Sequence, residues 1–201
     1  MPDENEADVA KGPAAGKLRW RRFAIVAVPA LAVAGILVGM TAEGAIASSI
    51  SVSGQQFLVT ATQLRGSGFE QFGGSVAQGN GAQPVIVSAI NHAQLTNLCQ
   101  SVSVGPLTLR LTAGRNGTPV SADNLIVDAS GQTGSVATFH NITIGQDAGT
   151  LTKDPGTAGT SGGFGQQADS IIINDLYQHT WLTTAGTFTL PGLSISFGKS
   201  C

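Results

Sequence analysis

The residues of this chain that could do chemistry are few, and most of them lie in its second half. Gly159-Thr160-Ser161-Gly162-Gly163 matches G-x-S-x-G, the pattern in which a strained strand-to-helix turn lifts a nucleophilic serine above a sheet. Asp169, Asp175 and His179 follow in the order acid, acid, histidine. Ester hydrolysis here would need Ser161 beside His179 or His140, with an acid holding the imidazole. The flanks LTKDPGTA and FGQQADS provide neither an apolar strand leading in nor a helix leading out. The same residues therefore also read as a flexible loop, and no catalytic residue is expected beyond the candidates Ser161 and His179.

The chain has three histidines, His92, His140 and His179. None has the i, i+2 or i, i+4 spacing that pre-pairs metal ligands, so no metal site is expected. Asp123 with Asp128, or Asp169 with Asp175, could pair as carboxylates, but aspartate at strand ends ordinarily does turn chemistry. No glycine-rich phosphate loop opens a helix, so no nucleotide cofactor is expected. Trp181, Tyr177 and Phe188 cluster late and read as core, with Trp181 also suited to a membrane-facing or ligand-facing spot.

Two cysteines remain, Cys99 and Cys201, the second being the final residue. An even pair in an exported chain predicts a disulfide that pins the C-terminal strand to the middle of the domain. Two free thiols, or a link between chains through the terminal cysteine, are the alternatives.

The elements that must position these residues are strands. Phe57, Val59 and Ala61 alternate with polar residues, as a half-buried strand does. Gly66, Gly68, Gly73, Gly74, Gly79 and Gly81 then predict a loop around Phe69 and Phe72. Further strands are expected at Val85–Ile90, Leu107–Leu111, Asn124–Asp128, Ser135–Phe139, Asn141–Ile144, Ser170–Leu176, Thr180–Thr184 and Thr187–Phe197. Pro191-Gly192 breaks the last of these. Asp147–Gln167, rich in Gly, Thr and Ser, reads as a long loop that is either functional or disordered. No window after Ser48 holds a useful amphipathic helix. The fold class is all-β, laid out as an elongated sandwich or as β-arches stacked in a solenoid-like manner.

Upstream, residues 1–22 read as a cytoplasmic tail ending in the basic cluster Lys17, Arg19, Arg21 and Arg22. Residues 23–42 form an uncharged apolar run, FAIVAVPALAVAGILVGMTA, or about 30 Å of helix, enough to cross a bilayer. The basic flank places the C-terminal side outside. Ala45-Ile46-Ala47 is a small-x-small site, so the run is either a membrane anchor or a signal cut between Ala47 and Ser48. Both fates export residues 48–201 as one β domain, to the cell surface or into the medium.

Composition narrows the partners. Charged residues are 11% of the chain and the net charge is −2, against the ~25% charged residues usual in soluble domains. The basic residues after the apolar run, Arg65, Arg110, Arg115, Lys153 and Lys199, are too scattered for a nucleic-acid surface. Sparse charge favours contact with a membrane, wall or protein partner.

Three segments carry a resemblance: ISVSGQQFLVTATQLRGSGFEQFGG, LTNLCQSV and GGFGQQADSIIINDLYQHTWLTTAGTFTLPGLSI. Together they resemble an actinobacterial family of unknown function, often labelled cholesterol esterase, over nearly the whole chain. The resemblance implies a small multi-spanning membrane protein as partner and brings no catalytic or binding residue with it. Three functions follow as expectations: a non-catalytic envelope module binding lipid, wall component or membrane partner; a secreted serine ester hydrolase; and a self-assembling structural protein of the envelope.

Overall fold

The computed structural model describes residues 54–78, 81–154 and 157–201. The basic tail, the apolar run and the Ala47–Ser48 bond lie outside the described residues. Residues 51–201 form one compact unit. Among the described residues no helix is long and apolar enough to cross a membrane.

Among the described residues ten strands follow one another: β1 (Phe57–Gln78), β2 (Gly81–Thr96), β3 (Leu98–Val104), β4 (Leu107–Ala113), β5 (Val120–Thr133), β6 (Val136–His140), β7 (Thr143–Asp147), β8 (Phe164–Thr184), β9 (Thr187–Thr189) and β10 (Ser194–Phe197). One 3₁₀ turn, Ala148–Thr150, separates β7 from β8. All pairings are antiparallel and join one sheet, in the order β10-β4-β3-β1-β2-β5-β8-β6. β7 adds to β8 and β9 to β5. A further β1–β8 ladder closes β1, β2, β5 and β8 into a ring. The all-β expectation holds, and its layout is this one large antiparallel sheet.

The ring interior is filled by large and small side chains, as a narrow barrel requires. Phe69, Leu98, Ile171 and Leu176 pack in one core with Ala93, Ala113, Ala122, Ala129 and Ala168, all buried. The space left between Val59, Leu64, Leu125 and Leu176 is about 20 Å³, room for about one water. A lipid has no place inside.

The glycine-rich stretch after Ala61 is not a loop. It is the second half of β1, paired with β2 from Gln63↔Thr96 to Gln78↔Gly81 and with β8 as far as Phe72↔Gly165. Two of its glycines, Gly66 and Gly74, allow close approach of side chains on neighbouring strands. A Cβ on Gly66 would lie 2.6 Å from Ile90 Cγ2 and 3.2 Å from Ile171 Cγ2, and one on Gly74 would lie 2.7 Å from Val87 Cγ2. Gly68 takes φ +65°, which an L side chain resists.

The long loop is also shorter than expected. Asp147 ends β7, and β8 already begins at Phe164 and runs unbroken to Thr184, absorbing two expected strands. What remains is tied down. Asp147 Oδ1 accepts from Gly149 N at 2.8 Å and from Gly162 N at 2.9 Å, and Ala148 N donates to Gly163 O at 2.8 Å. Leu151 is buried with Phe72, Val85, Val87 and Ala148 in a second small core. Pro191-Gly192 does break the last strand: β9 pairs with β5, and after Gly192 at φ +62° the chain crosses to pair β10 with β4. Cys99 and Cys201 are joined in one chain.

Candidate functional site

Two surface features stand out, one polar and one apolar, and register builds both. Residues directly opposite one another on paired strands point to the same face of the sheet. On the outer face one row runs Asp123 (β5), His92 (β2), Ser67 (β1), Ser170 (β8) and His140 (β6), every step a register pair. The next inward row is Ala122, Ala93, Gly66, Ile171 and Phe139, which faces the core. His92 Nδ1 lies 2.7 Å from Asp123 Oδ1. A carboxylate only accepts, so Nδ1 carries the proton and Nε2 is left open. A cleft of about 300 Å³ opens over this row, lined on its polar side by Arg65, Ser67, His92, Gln94, His140 and Ser170. Asp123, His92 and Ser67 stand in the order of a catalytic triad, yet no hydrogen bond joins Ser67 to His92, and His92 is 74% exposed.

The second feature is the flap made by β3, β4 and β10. Its rows Val102–Leu109–Phe197 and Gln100–Leu111–Ile195 share one face. The alternate rows, Cys99–Thr112–Ser194 and Ser101–Arg110–Ser196, share the other. The chain's end covers the polar face: Cys201 bonds to Cys99, its N donates to Ser101 Oγ at 3.1 Å, and Ser101 and Thr112 are buried. Apolar side chains are consequently left outward, with Ile195 59% and Phe197 64% exposed. Phe57, Val102, Leu109 and Leu111 line an apolar groove of about 220 Å³. Phe57 and Gln100 are also walls of a neighbouring cleft of about 470 Å³ reaching Ala185 and Phe188.

Ser161 and His179 are not brought together. Ser161 sits in the turn before β8, its Oγ close against Gly149, at the end of β8 where Phe164 pairs with Asp147. His179 lies near the other end of β8, opposite Leu58 and Gly131, its ring edge-on to Tyr177 at 5.4 Å. His140 belongs to the polar row instead. Asp169 accepts from Lys153 Nζ and from Asn141 Nδ2, both at 2.5 Å. The Lys153 bond first, and the Asn141 bond second, hold its carboxyl below the usual range. Asp175 accepts from Ser135 Oγ at 2.6 Å in the turn before β6. Burial pushes the carboxyl of Asp128 up. Among the described residues no cluster of histidine, cysteine and carboxylate could hold a metal ion. Of the late aromatics Phe188 packs on the main core and Trp181 on the small one, while Tyr177 is exposed rather than core.

One buried acid has no signal in the sequence. Glu70 is fully buried, and its Oε1 accepts from Asp154 N at 2.7 Å. Burial raises its pKa, the backbone N–H groups of Asp154 and Lys153 partly offset this, and the Asp154 charge raises it further. Asn91 Nδ2 donates to Lys153 O at 2.7 Å beside it. Glu70 thus fastens the Lys153–Asp154 backbone to the ring, a structural role.

A family model, described only as a family of unknown function, matches residues 53–201. No curated protein and no solved structure matches the chain.

Proposed function

The chain belongs to DUF6230, a family of unknown function, and on that premise we propose that it is an envelope protein whose β domain seats its apolar flap on lipid at the outer face of a membrane. The observation that carries this reading is the inverted flap. The C-terminal tail covers its polar side and leaves Leu109, Leu111, Ile195 and Phe197 outward around the Phe57 groove. Large apolar side chains grouped in this way, on a chain so poor in charge, favour a membrane or partner surface.

The sequence supports the placement. Phe57, which lines the groove, opens β1. Residues 43–56 separate it from the apolar run, and extended they span at most about 50 Å. An anchored domain would therefore stay within reach of the bilayer. The filled ring interior directs the interaction to the surface rather than to an enclosed lipid. The ester-hydrolase reading draws no support from the site, since Ser161 and His179 stand at opposite ends of β8.

The test uses residues 48–201, which contain the ring, both small and large cores and the disulfide. Cosedimentation with phosphatidylglycerol vesicles is expected, and Ile195→Asn with Phe197→Asn is expected to weaken it at least tenfold. Burying each of these side chains is worth roughly 1–2 kcal/mol when about half its area is still to be covered. Equal binding by the double variant would overturn the reading. A second reading has its own observation: β10 ends the sheet with its outer edge unpaired among the described residues, and such an edge can add a strand from a second copy. Light scattering that shows a dimer, lost in the same variant without vesicles, would favour self-assembly.

A further inference from the structure

We propose that the outer-face cleft between β1, β2, β6 and β8 is an oxyanion site that takes a phosphoryl group. Its polar lining offers hydrogen-bond donors: the Arg65 guanidinium, the His140 imidazole, the Ser67 and Ser170 hydroxyls and the Gln94 amide. No carboxylate lines it, although the chain as a whole is acidic. The nearest acid in the row, Asp123, is engaged with His92 Nδ1 at 2.7 Å, so the imidazole gives its proton to that carboxylate rather than to the cleft. Gln63 Oε1 accepts from Arg65 Nε, which steadies the guanidinium and leaves its terminal nitrogens for a ligand. Each of these contacts is built on the ring, with Arg65 and Ser67 on one strand two positions apart and therefore on one face.

Donors arriving from four strands suit a group with oxygens pointing several ways. A planar carboxylate is satisfied by one guanidinium fork, whereas a tetrahedral phosphoryl group presents three oxygens to separate donors. The cleft of about 300 Å³ also leaves space for a small organic remainder on the phosphate. Free phosphorylated polyols and lipid headgroups offer the same chemistry. The site is separate from the apolar flap: Arg65 is eight positions along β1 from Phe57, or roughly 26 Å.

The test titrates the full chain in detergent by calorimetry with inorganic phosphate, sn-glycerol 3-phosphate and dihexanoyl phosphatidylglycerol. Saturable binding with a Kd on the order of 1 mM or tighter is expected. A soluble phosphate that binds marks a free ligand, and binding by the lipid alone marks a headgroup; either supports the site. Arg65→Ala with His140→Ala is expected to weaken binding at least tenfold while the circular dichroism melt stays unchanged. His140→Gln, which keeps a donor, is expected to weaken it less. No saturation by about 10 mM with any of the three probes, or undiminished binding by the double variant, would overturn the proposal. Labelling of Ser67 by a fluorophosphonate would also overturn it, because the row would then be a nucleophile with its base.

Discussion

Removing the Cys99–Cys201 bond tests how the domain holds its C-terminus. The two residues are 102 apart in sequence. Closing a loop of that length removes entropy from the unfolded chain worth about 4.7 kcal/mol at 25 °C on the chain-entropy relation. Domains of this size have about 5–15 kcal/mol in total, so the bond would account for a third or more. The tail has little else to hold it. β10 is four residues long, Gly198 N donates to Thr108 O at 3.0 Å, and Cys201 N donates to Ser101 Oγ at 3.1 Å. The measurement is urea unfolding of Cys99→Ala, Cys201→Ala and the double variant of residues 48–201. Each single change breaks the same bond, so the three should lose nearly the same 3–5 kcal/mol, strongly non-additive in the double-mutant cycle. The denaturant slope should rise, because the uncrosslinked unfolded chain exposes more surface. A loss below about 1.5 kcal/mol, or two single losses that sum in the double variant, would refute the entropic account.

Three further outcomes follow from particular residues. Gly66→Ala puts a Cβ 2.6 Å from Ile90 Cγ2 and should cost about 1–3 kcal/mol, read as a lowered melting temperature; Gly73→Ala, with open space around it, should change stability by less than about 0.5 kcal/mol. Glu70 binds its proton more tightly folded than unfolded, so its effect on stability is absent below its usual value of 4.5 and grows unfavourably as pH rises through the raised folded value. Stability read from denaturation curves should therefore fall from this group as pH rises above 4.5 and level off past the raised folded value, and Glu70→Gln should remove that fall; Asp169, whose pKa is lowered, acts in the opposite sense only below its usual 3.8. Asp147→Ala removes the acceptor for Gly149 N and Gly162 N and should cost about 1–2 kcal/mol. Its faster amide exchange should be confined to residues 148–163, and an unchanged exchange pattern there would show that the turn holds without its cap.

Apolar alternation and turn residues were enough to read strands at Leu107–Leu111, Ser170–Leu176 and Thr180–Thr184, because period two is a local property of a strand with one buried face. Pro191-Gly192 was legible for the same reason, since a fixed φ and a missing N–H end a ladder wherever they fall. The same local rules misread Gly66–Gly74. Gly66 answers to Ile90 and Ile171, and Gly74 to Val87, on neighbouring strands, and nothing within the stretch reveals those neighbours. Ser161 misled in the converse way: its pattern is complete over five residues, but the turn it occupies lacks the strand and helix that give the pattern meaning.

Composition and periodicity thus determine by themselves that residues after Ser48 form strands and that the only two cysteines suit a bridge; both depend on residue type and spacing alone. Register decided the rest. The closing β1–β8 ladder, the polar row from Asp123 to His140 and the outward apolar rows of β4 and β10 join residues 25 to 123 positions apart. A slip of one residue in any ladder would turn these side chains to the opposite face. Which residues share a surface is settled only when the packed ring selects one register for every pair of strands at once.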